Sequence, residues 1–160
     1  MQYLTIALAA TGLVSSAMAA PTQAATGSAI PAGYEWNVSQ WTAGCNDEHC
    51  EYSFLVSAPA NGQIPSFKAR CNGIDTPAQF TTCRTIRSSD DVQIMSKIKH
   101  QADPSEANGP AKVTMSMEFT LPESGVDMTY TGSYAATYNA GNDGVAGKKF
   151  QITPTHASGS

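Results

Sequence analysis

Apolar side chains fall on alternate positions over much of this chain, and that period of two is its dominant pattern. The best series runs through Val113, Met115, Met117, Phe119 and Leu121, opposed by Lys112, Thr114, Ser116, Glu118 and Thr120. A strand with one buried face is the expected result. Met128, Tyr130, Tyr134, Ala136 and Tyr138 repeat the pattern, with Gly132 in the inward series, where a bulge or bend would relieve curvature. Upstream, Trp36, Val38 and, past a polar pair, Trp41 mark a first strand over residues 34–41. Tyr52, Phe54 and Val56 mark a second, which leaves through the turn residues Pro59-Ala60-Asn61-Gly62. Phe67, Ala69 and Cys71 face inward against Ser66, Lys68 and Arg70 in a third, and residues 80–86 form a fourth that carries Cys83. Val92, Ile94 and Ile98 alternate with Gln93, Lys97 and Lys99, and Phe150 with Ile152 closes the set. Seven to eight short strands, turn signals between them and no apolar stripe of helical period predict an all-β fold, a single antiparallel barrel or sandwich.

The ends of the chain read differently. Residues 1–19 are apolar, carry no charge and finish in Ala17-Met18-Ala19, the small-x-small pattern of a signal-peptidase site. Their apolar core of about 12 residues is too short to span a bilayer, so a cleaved signal peptide is expected, and with it a secreted, extracellular product that does not engage a membrane. Residues 20–33 are small and polar with two prolines and read as a flexible arm. The β domain is placed at 34–154, its longest internal loop at 102–110, and a loose polar tail at 155–160.

Composition narrows the function classes. The chain carries nine Lys and Arg against thirteen Asp and Glu, a net charge of −4. Its cations are scattered along the sequence, which argues against nucleic acid as a partner. Four cysteines, Cys45, Cys50, Cys71 and Cys83, are expected as two disulfides in an oxidising compartment. Three pairings are open; the sequential one closes two short loops, worth roughly 2 and 3 kcal/mol in the chain-entropy model, and is preferred. Asn37-Val38-Ser39 is a glycosylation sequon, with Asn37 on the outward side of its strand.

Candidate chemistry is sparse. His49, His100 and His156 stand apart in no metal-ligating spacing, and the Asp47-Glu48-His49 cluster reads as a hydrated turn, so neither metal nor cofactor is expected. Glu51, Glu118 and Asp127 could serve as a glycosidase pair, but each lies in the outward series of its strand. No GxSxG occurs, and an enzyme is not expected. The aromatics are more suggestive: Trp36 and Trp41 in one strand and Tyr130, Tyr134 and Tyr138 in another could line a ligand cavity, and the three tyrosines are candidates for its rim, because a buried hydroxyl needs a partner that a pocket mouth supplies more easily than a dry interior.

The order Trp36-x-Val38-x-x-Trp41, Cys50-x-Tyr52-x-Phe54-x-Val56, Pro65-x-Phe67-x-Ala69-x-Cys71 and Phe80-x-x-Cys83 resembles the Alternaria major allergen-like family of small secreted fungal proteins. The resemblance implies an antiparallel β-barrel or sandwich, a Cys71–Cys83 disulfide, and extracellular proteins acting as allergens, elicitors or effectors on plant defence proteins. Cysteines that the family's type member carries before the first strand and near the C-terminus have no counterpart here, so a monomer or non-covalent dimer is expected, and the type member's phenolic ligand is not carried over. The leading expectation is an effector-, elicitor- or allergen-like protein that binds a host (plant) extracellular or defence partner through the loops and strand edges of a stapled β scaffold. The alternative is a small carbohydrate-active enzyme or a cell-wall polysaccharide-binding module.

Overall fold

The computed structural model describes residues 30–45, 49–75, 79–100, 110–137 and 148–159. Ten strands alternate along it: β1 Trp36–Cys45, β2 Cys50–Ala58, β3 Phe67–Ile74, β4 Thr81–Thr82, β5 Arg84–Ser88, β6 Val92–His100, β7 Pro110–Thr120, β8 Asp127–Thr137, β9 Lys148–Ile152 and β10 Pro154–Gly159. No helix occurs among the described residues. The strands form two antiparallel five-stranded sheets, ordered β5-β3-β2-β1-β9 and β10-β8-β7-β6-β4. The architecture is a sandwich and not a closed barrel.

Alternation works as the sequence predicts in β2, where Tyr52, Phe54 and Val56 are buried, and in β7, where Val113, Met115, Met117 and Phe119 are, except that Ser116, expected to face outward, is buried as well. The inward faces of both sheets share one core that includes Trp36, Trp41, Phe67, Ile94, Ile98, Tyr130 and Ile152. β1 shows how a parity break is absorbed. Trp36 and Val38 point inward, and so do Trp41 and Ala43, which have the opposite parity. The extra residue is a bulge at Gln40, whose φ of 54° lies in the left-handed region, and the register slips by one against β2 between Ser39 and Thr42 and against β9 between Val38 and Trp41. The bulge extends the strand to Cys45, beyond the end expected at residue 41.

At each side of the sandwich one of the crossings between the sheets takes a single residue. Cys83 stands between β4 of the second sheet and β5 of the first, so the strand expected over residues 80–86 is divided between two sheets. Its N–H donates to Ile94 O of β6 at 2.8 Å, while its sulfur is bonded to Cys71 of β3. One residue thus ties the layers through both backbone and side chain. On the other side, Thr153 joins β9 to β10. That corner packs on Gly132 so closely that a Cβ there would stand 2.8 Å from Ile152 Cγ2 and 2.9 Å from Thr153 O. The expected bend at Gly132 is matched by a bulge on the partner strand, where the register shifts between Pro154 and His156.

The terminal residues correct one expectation. The polarity of residues 155–160 predicts a loose tail, yet β10 pairs with β8 from Pro154↔Gly132 to Gly159↔Met128, Ser160 lying outside the described residues. An edge strand is held by backbone hydrogen bonds, which need no apolar pattern, and small residues suit its crowded approach. Residues 1–19 and most of the arm and the 102–110 loop lie outside the described residues. Of the arm, residues 30–33 form a turn closed by Tyr34 N–H to Pro31 O at 3.1 Å, and Ile30 packs against the core.

Candidate functional site

The Cys71–Cys83 disulfide is formed, with Cα atoms 4.4 Å apart. Cys50 is also disulfide-bonded; its expected partner, Cys45, lies opposite it in the β1–β2 register, with a side chain outside the described residues. Around Cys83 lies a polar bridge between the sheets. Tyr52 of β2 donates to Ser96 O of β6 at 3.2 Å and shares a 3.0 Å hydrogen bond with Ser96 Oγ, which lies 3.5 Å from Cys83 Sγ. Burial raises the Tyr52 pKa, and the bond to Ser96 offsets part of that rise. Ser96 takes an inward position in β6, where the sequence pattern predicts an apolar residue, and Tyr52 is what makes that tolerable.

The structure separates the tyrosines expected to share a rim. Tyr130 is wholly buried, with edge contacts to Phe119 and Tyr34 at centroid distances of 5.3 and 6.3 Å. Tyr134, about 13 Å farther along β8 at the usual strand rise, is 40% exposed and stacks on Phe150 at 4.3 Å. Ile152, seated over Gly132, stands between them. Tyr138 lies outside the described residues. Trp41 joins the Tyr134 group through Phe150, at 5.7 Å, whereas Trp36 packs on Phe67 at 6.4 Å. The Tyr130 hydroxyl and Trp36 Nε1 are buried with no hydrogen-bond partner among the described residues. Tyr34 donates weakly to Met117 Sδ at 3.7 Å, and burial pushes its pKa up to about 12, with Tyr130 adding to the rise.

Among the carboxylates, Glu51 pairs with His49 at 2.9 Å on the first sheet. Glu118 and Asp127 line an open groove of about 640 Å3 on the second sheet, together with Asp91. They are diagonal neighbours on β7 and β8, and Asp127 accepts a 2.6 Å hydrogen bond from Thr120. Among the described residues, no three His, Cys, Asp or Glu side chains converge as a metal site.

The outer face of the first sheet is the most distinctive surface. Outward positions of β3 alternate with the buried Phe67, Ala69 and Cys71, and they present Lys68 and Arg70. In the pairing with β5, Lys68 stands opposite Arg87 and Arg70 opposite Arg84. Four of the nine cations therefore meet on two strands as like-charge pairs, and none is in an ion pair among the described residues. In the sequence 68/70 is an ordinary alternation and 84/87, three positions apart, is none; the register, with its slip between Lys68 and Ala69, makes them one patch. Rows extend from both pairs. Arg87, Lys68, Ser57, Asn37 and Gln151 form one across all five strands, and Arg84, Arg70, Leu55 and Ser39 form the next. Arg70 Nη2 reaches over β2 to donate to Gln40 Oε1 at 3.4 Å, and Gln151 Nε2 donates to Asn37 Oδ1 at 3.2 Å. Asn37, the sequon residue, is exposed on this face. β5 is a sheet edge exposed from Arg84 to Arg87, with Ile86 at 49%.

Comparison with family models, curated proteins and solved structures returns no match, and nothing in it bears on the resemblance to the Alternaria major allergen-like family.

Proposed function

We propose that this chain is a secreted, effector- or elicitor-like recognition scaffold with no catalytic role, which binds a host or extracellular partner through the exposed surface of its disulfide-stapled sandwich. The observation that supports this reading is the cationic outer face on β3 and β5. Like charges directly opposed across strands destabilise a sheet by a few tenths to about 1 kcal/mol per pair, so folding gains nothing from the arrangement. An anionic partner would gain from it. Infiltration of leaf tissue with pure folded protein tests the reading. Wild type is expected to trigger cell death or a defence response, and K68Q/R70Q/R84Q/R87Q to weaken it; silence from folded wild-type protein would contradict it.

A second reading, a small carbohydrate-active enzyme, draws on Glu118 and Asp127 in their shared groove. Release of reducing sugar from chitin, β-glucan or xylan by wild type, abolished in E118Q, would favour it over the first.

A further inference from the structure

We infer that the occupant of the β3–β5 face is an acidic polysaccharide, a polymer of uronate residues whose carboxylates meet Lys68, Arg70, Arg84 and Arg87. The inference rests on the recognition-scaffold reading and names the partner's chemistry.

Geometry supplies the first support. Paired residues on antiparallel strands share a face with Cα atoms about 5 Å apart, and successive outward residues on one strand are about 7 Å apart. On β3 Lys68 and Arg70 are successive outward residues, whereas on β5 a one-residue bulge between the two pairs sets Arg84 and Arg87 three positions apart; the four cations form one compact, locally twisted patch suited to several closely spaced carboxylates on one extended chain. Three of the four are arginines, whose planar fork accepts a carboxylate through two parallel hydrogen bonds. One row then runs from the cations into Ser57, Asn37 and Gln151, and the other passes Leu55 to reach Ser39; the hydroxyl and amide side chains match sugar hydroxyls, and Leu55 offers an apolar contact to a sugar-ring face.

Other polyanions fit less well. Base stacking needs aromatic rings, and the outward positions of β1, β2 and β3 hold none. The second sheet carries an opposed pair too, Lys99 and Lys112, but a single one. It serves as the internal control.

The probe is de-esterified polygalacturonate, titrated by calorimetry in EDTA-containing buffer at low salt. Wild type is expected to bind and to weaken on the order of tenfold or more between 50 and 200 mM salt, as release of counterions from a linear polyanion requires. K68Q/R87Q and R70Q/R84Q should each lose affinity about five- to tenfold, and the four-fold variant should lose measurable binding, while its melting temperature stays level or rises because the opposed charges are gone. K99Q/K112Q should bind as wild type does. The inference is overturned by no binding at low salt, by equal binding of fully methyl-esterified polymer, by unchanged affinity in the four-fold variant, by loss of binding in K99Q/K112Q alone, or by tighter binding to duplex DNA or anionic vesicles. If polygalacturonate fails to bind while the four-fold variant still loses its leaf response, the polysaccharide is the wrong occupant and the recognition-scaffold reading stands.

Discussion

Two core tyrosines allow the same chemical change, deletion of one hydroxyl, to be made in opposite circumstances. Tyr52 is 4% exposed and Tyr130 is fully buried, so both substitutions to Phe keep the ring and its packing. In Tyr52→Phe, Ser96 loses its hydrogen bonds at 3.0 and 3.2 Å, and its wholly buried hydroxyl keeps only the disulfide sulfur at 3.5 Å. Stranding buried partners in this way costs about 1–3 kcal/mol. In Tyr130→Phe no partner is stranded, because the hydroxyl has none among the described residues. Removing an unsatisfied buried group is expected to be neutral or to stabilise by about 1 kcal/mol. The two variants should therefore differ by about 1–4 kcal/mol, which for a domain of this size separates their melting temperatures by roughly 5–15 °C. Urea unfolding monitored by tryptophan fluorescence gives the free energies, and calorimetry the melting temperatures. Equal effects within about 0.5 kcal/mol, or a larger loss in Tyr130→Phe, would refute the assignment of Tyr52–Ser96 as the polar tie between the sheets.

Removing the Cys71–Cys83 bridge by a double alanine substitution frees a loop of sequence separation 12, and should lower stability by about 3 kcal/mol, a melting shift of roughly 10 °C; an unchanged melt would show that the staple does not constrain the unfolded chain. Gly132→Ala places a methyl within 2.9 Å of a backbone oxygen that no rotamer change can move, and about 1–3 kcal/mol of destabilisation is expected in urea unfolding, with no loss as the contradicting result. Alkaline titration should show stability holding to about pH 10 and falling until about pH 12. In that window the unfolded Tyr34 phenol has released its proton and the folded one has not, so rising pH favours unfolding, with Tyr34 contributing on the order of 2 kcal/mol and Tyr52, also raised by burial, adding in the same direction. Tyr34→Phe should flatten that slope, and an equally steep fall in the variant would place the titration elsewhere.

Much of the fold was legible because β2 buries every second residue and β7 does so apart from Ser116, and such a pattern has few other uses. What was not legible depended on partners remote in sequence. Nothing around Gln40 announces a left-handed residue; only the inward positions of both Trp36 and Trp41 hint that parity breaks between them. β10 was missed because an edge strand draws on backbone groups that every residue possesses. The division of residues 80–86 between two sheets follows from Cys83 satisfying one layer with its N–H and the other with its sulfur, which periodicity does not encode. The candidate surface shows the same limit. Alternation placed Lys68 and Arg70 outward, but the pairing that sets Arg84 and Arg87 against them is a register, fixed by tertiary contacts. The tyrosines Tyr130 and Tyr134 share a parity, yet Ile152 over Gly132 keeps them in different surroundings.

The working surface assigned to this protein can be located directly by titrating 15N-labelled protein with a de-esterified galacturonate oligomer and mapping the backbone amide shifts. Changes should concentrate on β3 and β5 around Lys68, Arg70, Arg84 and Arg87 and fade across Ser57 and Leu55. Shifts centred instead on the groove of Asp91, Glu118 and Asp127, or none at millimolar oligomer, would contradict the assignment.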